Sequence, residues 1–214
     1  MQRRAFCLAI LSCSALAASG ASLQPASAAK QSNASLDQVS SHIKAVGTMT
    51  ANFTQRDRSG QVLSGTLTLK RPGKVRFEYQ KDAGLLVVGN GRSLSMIDYQ
   101  VNQVQRWPIK NSPLSALLDP KRDLSKYGRM VPTTNPNVLS VEVRDKKRPE
   151  YGVITMIFLR SASAPGGLTL DGWVALDSQN NRTTIRLKDQ KYNRSVSDNA
   201  FKWTDPRKKK RVRR

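Results

Sequence analysis

Residues 67–79 read LTLKRPGKVRFEY and divide at Pro72-Gly73. Before the division Leu63, Gly65, Leu67 and Leu69 alternate with Ser64, Thr66, Thr68 and Lys70. After it Val75, Phe77 and Tyr79 alternate with Lys74, Arg76 and Glu78. Successive side chains of a strand point to opposite faces, so the pattern is two strands, each apolar on one side and wet on the other. Pro72 presets φ for the second position of a turn, and Gly73 supplies the positive φ that a type II turn needs at the third. The stretch is a hairpin with one greasy face, one cationic face and Arg71 at its tip.

The same reading extends in both directions. Met49, Ala51 and Phe53 alternate with polar neighbours, and Arg58-Ser59-Gly60 turns the chain into a strand over 62–70. An apolar run at 85–88 closes on Asn90-Gly91, a strong hairpin signal. Strands are expected at 94–98, 104–107, 139–143, 153–159, 168–176 and 184–187, with 201–203 as a last candidate. Two helical segments interrupt them. Ser35-Leu36-Asp37-Gln38 reads as a capping box, and Leu36, Val39, Ile43 and Val46 follow on one face before a stop at Gly47. Ser112-Pro113 opens a second short helix carrying Leu114 and Leu117, with helix continuing toward Tyr127. Many short strands without regular helical crossovers point to an antiparallel sandwich or barrel. At 214 residues the chain is long enough for one domain with a real core.

The N-terminus reads as an export signal over residues 1–28. Arg3 and Arg4 precede an apolar stretch at 5–18 that is too short for a comfortable membrane span. Ala26-Ser27-Ala28 fits the cleavage site, with Gly20 or Ala21 as the competing position, and Arg3-Arg4 is a short match to a twin-arginine signal. Both cysteines, Cys7 and Cys13, fall inside this segment, so the mature chain carries no thiol or disulfide. Formal net charge is +21, which selects for an anionic partner, either a membrane surface or a nucleic acid. Residues 207–214 hold seven of these cations, and without them and Arg3 and Arg4 the body keeps +12. The tail is a basic appendage, separate from a body at 29–206.

Signals for catalysis are missing. His42 is the only histidine, expected at a helix surface or boundary, and no ligand cluster surrounds it, so no metal or cofactor is expected. No nucleophile elbow, P-loop or dinucleotide fingerprint occurs. A hydrolase would have to use Asp98, Asp171 or Asp177, whose spacing reads better as turn and solvent positions.

A series of segments resembles the periplasmic outer-membrane lipoprotein carrier family, LolA. The segments are Asn52-Phe53-Thr54-Gln55, the run from Gly65 through the Lys70-Arg71-Pro72-Gly73 turn to Tyr79, Gly89-Asn90-Gly91, Ser112-Pro113-Leu114, Gly172-Trp173-Val174-Ala175-Leu176-Asp177 and Thr183-Thr184-Ile185-Arg186-Leu187. They occur in order across residues 35–201. The resemblance implies an incomplete, strongly curved antiparallel β-barrel with a helical lid, acting as a carrier rather than an enzyme. It implies that the inner face binds the acyl chains of lipidated proteins. It further implies an inner-membrane ABC exporter that loads the carrier and an outer-membrane receptor that unloads it. Carried over, the cavity residues are Phe53, Leu67, Leu69, Val75, Phe77, Tyr79 and Trp173. The lid residues are Leu36, Val39, Ile43, Leu114 and Leu117, and Arg71 is the lid latch. The basic tail lies outside the family's pattern, and aromatics at 6% of the chain predict a thin aromatic lining. The expected protein is a periplasmic monomer, in transient contact with anionic membranes and not with nucleic acid. A half-barrel that binds glycolipid or senses lipoproteins as a regulator is the alternative.

Overall fold

The computed structural model describes residues 25–109, 115–118, 124–145 and 149–207, without the side chains at 25–33, 116, 117 and 151. The expected signal segment lies almost wholly outside these residues, as do the tail beyond Arg207, Leu114 and the side chain of Leu117.

Eleven strands form one antiparallel sheet: β1 (Thr48–Arg56), β2 (Val62–Lys70), β3 (Lys74–Tyr79), β4 (Leu85–Asn90), β5 (Ser93–Asp98), β6 (Gln103–Pro108), β7 (Gly128–Val131), β8 (Val138–Arg144), β9 (Val153–Arg160), β10 (Leu168–Leu176) and β11 (Arg182–Tyr192). Their order is β6-β5-β4-β3-β2-β1-β11-β10-β9-β8-β7, so β6 and β7 are free edges and the sheet is open. It is also curled. Four strand spacings separate β3 from β10, about 19 Å in a flat sheet. Yet the rings of Phe77 on β3 and Trp173 on β10 lie 6.0 Å apart. Register breaks between Thr50 and Asn52 in β1 and between Leu170 and Gly172 in β10 sharpen the bend, as an extra residue in one strand does. Gly65 on β2 allows a close approach, because a Cβ there would lie 2.0 Å from the Glu78 carbonyl oxygen.

The strands expected between residues 49 and 187 are present, and four-residue β7 is an addition, too short to show a period. The three-residue connection at 71–73 joins the Lys70–Lys74 pair. Gly73 has φ 73°, as expected, and the Arg71–Pro72 peptide is cis.

Helix α1 (Pro25–Ala45) lies on the concave face, packed against β7, β10 and the turn at Pro165–Gly167. It starts ten residues before the expected cap at Ser35. The intervening segment is rich in Ala and free of Gly and Pro, so nothing stops the helix short of Pro25 at its first position. The described apolar face is as the spacing predicts, with Leu36, Val39, Ile43 and Val46 all buried in the core. Gly47 follows the helix end, where Asn193 bridges the chain. Its amide donates to the Ala45 carbonyl (3.0 Å), and its side-chain oxygen accepts from Gly47 N–H (2.8 Å). Short helices α2 (Ser115–Leu118) and α3 (Leu124–Tyr127) follow β6 and send Leu118 and Leu124 into the same core.

His42 departs from its expected surface position: it is 2% exposed. It sits three residues after Val39 and four before Val46, so helical spacing carries it onto the buried face. Its Nδ1 donates to the Pro165 carbonyl at 2.7 Å, with the tautomer set by that acceptor, and its ring meets Phe158 and Tyr192 edge-on. Gly166 permits this contact, since its φ is 65° and a Cβ would lie 2.7 Å from His42 Cα.

A second, smaller core occupies the convex face of β4 and β5. Leu86, Val88 and Ile97 are covered there by Phe201, with Val196 and Trp203 beside it. The covering segment was expected to be a strand at 201–203. It is a strap that turns at Asp198–Phe201, where Ser197 accepts from the Asn199 N–H. The strap crosses the strands instead of pairing with them. Lys70 donates to Val196 O, Arg76 to Ala200 O and Lys202 O, and Tyr99 to Thr204 O.

Two expectations follow. Phe158 is fully buried beneath α1, so Phe158→Ala should cost about 3–5 kcal/mol in denaturant unfolding. Burial holds the His42 pKa below its ordinary value; the Pro165 bond opposes this and nearby Arg71 adds to it. Above pH about 6.5 the imidazole is neutral in folded and unfolded chains alike. Below it the unfolded chain takes up the proton first, so stability falls as pH falls. Thermal melts should show a decline from pH 7 to 5 that His42→Phe flattens.

Candidate functional site

The β2–β3 tip and the lid helices meet through backbone and guanidinium bonds. The Arg71 N–H donates to Gly47 O at 2.8 Å, and its guanidinium donates to Val46 O, just past the last turn of α1. The Gly73 N–H donates to Leu118 O at 3.0 Å, at the end of α2. One three-residue turn therefore holds the ends of two lid helices. The carbonyls at a helix C-terminus lack intrahelical partners and carry the negative end of the dipole, which suits a cation. Burial pulls the Arg71 pKa down to about 10, so the group stays charged at neutral pH. A charged hydrogen bond of this kind contributes roughly 1.5–3 kcal/mol.

The seven apolar residues singled out from the sequence converge on the concave face. Phe53, Leu67, Leu69, Val75, Phe77 and Trp173 are buried in one core, and Tyr79 packs at its edge. Phe53 is the hub of an edge-to-face aromatic set, with centroids 5.4 Å from Phe77 and 5.0 Å from Tyr79. The lining is thus richer in aromatics than the chain's composition predicts, because the fold collects scattered rings from β1, β3 and β10. The Tyr79 hydroxyl donates to Gln55 Oε1 at 2.7 Å, and burial pushes its pKa up to about 12. Among the lid residues, Leu36, Val39 and Ile43 pack onto this core. With the lid in place these side chains fill the space between helix and sheet.

Toward the free edge β6 the concave face is less covered. Val87, Met96 and Trp107 are half-buried there, in register with Phe77 and Leu94. Sequence reasoning missed them, because the run at 85–88 is apolar on both faces and shows no alternation. At the lid end a cleft of about 750 Å³ opens between the two hairpin tips and α2. Pro72, Gly73, Gly91, Arg92, Ile109 and Leu118 line it.

Asp98 and Asp177 accept from N–H groups of their own turns, and Asp171 pairs with Arg186 at 2.6 Å. Among the described residues no group of three or more His, Cys, Asp or Glu could hold a metal, and no helix is long and apolar enough to cross a membrane.

The chain is similar to known proteins. An outer-membrane lipoprotein carrier protein of Cupriavidus pinatubonensis is 27% identical over 210 residues, covering 92% of this chain and 94% of that one. An uncharacterized protein of Rickettsia prowazekii is 25% identical over 122 residues, and the match spans only 57% of that relative. An uncharacterized conserved protein from Thermus thermophilus shares the fold, with a TM-score of 0.50, 12% identity, and coverage of 80% of this chain and 94% of that one. The family model described as outer membrane lipoprotein carrier protein LolA matches residues 44–204, which include the hairpin, the tip and the concave face. The chain belongs to the LolA family of outer-membrane lipoprotein carrier proteins.

Proposed function

We propose that this protein is a periplasmic carrier that shields the acyl chains of lipidated proteins on the concave face of its sheet. In this reading an inner-membrane ABC exporter supplies the cargo and an outer-membrane receptor takes it. The observation that carries the proposal is the tip contact: one buried arginine, set in the apolar hairpin, bonds the end of the helix that covers the apolar face. Phe53, Leu67, Leu69, Val75, Phe77, Tyr79 and Trp173 form the acyl surface. Leu36, Val39, Ile43, Leu114 and Leu117 belong to the lid.

The chemistry explains why a lid is needed. An acyl chain leaving water gains about 0.8 kcal/mol per methylene. Cargo arriving from a bilayer gains almost none of this, since lipid tails are as apolar as leucine. Loading therefore draws on work done outside the carrier, and release requires that the empty carrier have a stable state of its own. A helix that refills the cavity with leucine, valine and isoleucine supplies that state, and the Arg71 bonds deepen it. Net affinity becomes the difference between a lid-closed and a cargo-filled state.

Arg71→Leu removes stabilisation from the closed, empty state and leaves the apolar surface intact. The variant should load from membranes and hand over poorly to the receptor, so loaded carrier accumulates. Failed loading with intact handover would contradict the latch role, because it would place Arg71 in contact with cargo or exporter.

The basic tail at 207–214 serves encounter with anionic membranes, where near-surface basic residues are worth roughly 1 kcal/mol each. A chain ending at Pro206 should lose most of its salt-sensitive vesicle association and still take up lipoprotein. Abolished uptake would instead put the tail in the cargo site.

A further inference from the structure

On the convex face, opposite the acyl surface, two adjoining cavities of about 700 and 330 Å³ share Thr54 and Arg186. They form one shallow groove across β2, β1 and β11. Its lining holds five cations, Arg56, Arg58, Arg182, Arg186 and Lys188, against a single carboxylate, Asp57. Hydroxyls of Thr54, Thr66, Thr184 and Ser64 fill the spaces between them. Strand alternation places these side chains outward: Arg56 sits opposite Thr184 and Val62, Arg186 opposite Thr54, and Lys188 opposite Asn52.

The nearby acids are already engaged. Asp57 accepts from the Ser59 hydroxyl and Gln61 N–H, Asp171 holds Arg186, Asp189 accepts from Asn52, and Asp177 accepts from its own turn. Arg58 donates to Asn181. Arg56, Arg182 and Lys188 have no hydrogen-bond or ion-pair partner among the described residues. Neighbouring like charges on one sheet face repel, so this arrangement has an unfavourable self-energy that an external anion would relieve. Guanidinium forks with interleaved hydroxyls suit the oxygens of a phosphate.

We propose that the convex face of β1, β2 and β11 docks onto the phosphate headgroups of an anionic bilayer. A nucleic acid fits less well, because the aromatic residue along the groove, Phe53, is buried in the core of the concave face and offers a base nothing to stack on. An added peptide strand fits less well, because β1, β2 and β11 are interior strands paired on both sides. A bilayer needs neither feature. Val62, 51% exposed at the groove's rim, adds an apolar contact at headgroup depth. Docking by this face leaves the lid, the tip and the free edges β6 and β7 unobstructed for cargo. The site is distinct from both the acyl surface and the tail, and it stands independently of the carrier reading.

The test is flotation of the full mature chain with vesicles of phosphatidylglycerol and phosphatidylcholine, and with phosphatidylcholine alone. Arg56→Ala with Arg182→Ala should weaken binding to the anionic vesicles about thirtyfold. It should leave the melting temperature and lipoprotein uptake unchanged, since both side chains are exposed and far from the lid. A control pair of exposed cations outside the groove, Lys81→Ala with Arg144→Ala, tests whether position matters beyond net charge, and should weaken binding less. Equal affinity of the groove variant and the native chain for anionic vesicles would overturn the proposal. So would equal losses from the two pairs, or a groove variant that keeps vesicle binding and loses an acidic protein partner.

Discussion

An open sheet with an apolar concave face cannot stand uncovered in water, and the way that face is covered governs the structure. The eleven strands curl far enough to bring β3 and β10 into side-chain contact, but β6 and β7 do not meet. A closed barrel would satisfy its own interior. This one leaves a face to be covered by α1, whose residues Val39 and Ile43 are as buried as any in the sheet. The helix has no strand pairing to fix it. Apolar packing is non-directional, so the polar bonds at its C-terminal end set its place: Arg71 on Val46, Asn193 on Ala45, and His42 on Pro165. These three contacts come from the β2–β3 turn, the end of β11 and the β9–β10 turn. Three separate turns of the sheet hold the C-terminal end of the lid helix, and Arg160 of β9 donates to Gln38 farther along it at 2.7 Å.

This arrangement leaves the sheet only partly dependent on the lid for its stability. The sheet is built by ladder bonds and by a core that extends beneath the lid. A second core on the convex face, under the C-terminal strap, stabilises β4 and β5 independently of α1. Lys70 and Lys74 flank the tip and both pair with Asp198 on that strap, which holds the Asp198 carboxyl at about 2. The hairpin that carries Arg71 is therefore anchored from behind. Its tip is thus held from the convex side by bonds separate from those it makes to the helix on the concave side.

Most of the sheet was legible because half-buried strands announce themselves by alternation. Strands β2 and β10 occupy the spans expected of them, 62–70 and 168–176. The signal failed where both faces are apolar or neither is extended. Leu86, Val87 and Val88 are divided between two cores, so in the apolar run at 85–88 inward members could not be told from outward ones. Phe201 and Trp203 look like a strand in composition but act as plugs on a strap that crosses the strands. His42 was misjudged because residue type outweighed its position between Val39 and Val46. Of the candidate site, the apolar residues were readable from their register. Arg71 was singled out by resemblance and by its place at a Pro-Gly turn. The partner that gives it meaning, a carbonyl 25 residues earlier in the chain, is a tertiary fact that no local pattern encodes.

The two faces of the sheet have divided their chemistry by strand parity. In β1 the inward residues Met49, Ala51 and Phe53 pack under the lid, and the outward residues Thr50, Asn52, Thr54 and Arg56 face solvent. In β11 Ile185 and Leu187 point in, and Arg182, Arg186 and Lys188 point out. A one-residue slip of either strand would exchange these sets, placing arginines in the core and apolar side chains in water. The cations of the convex face thus have a structural consequence besides any ligand they meet. They penalise every odd-residue slip of the two central strands, on which the curl of the sheet, and with it the concave face, depends.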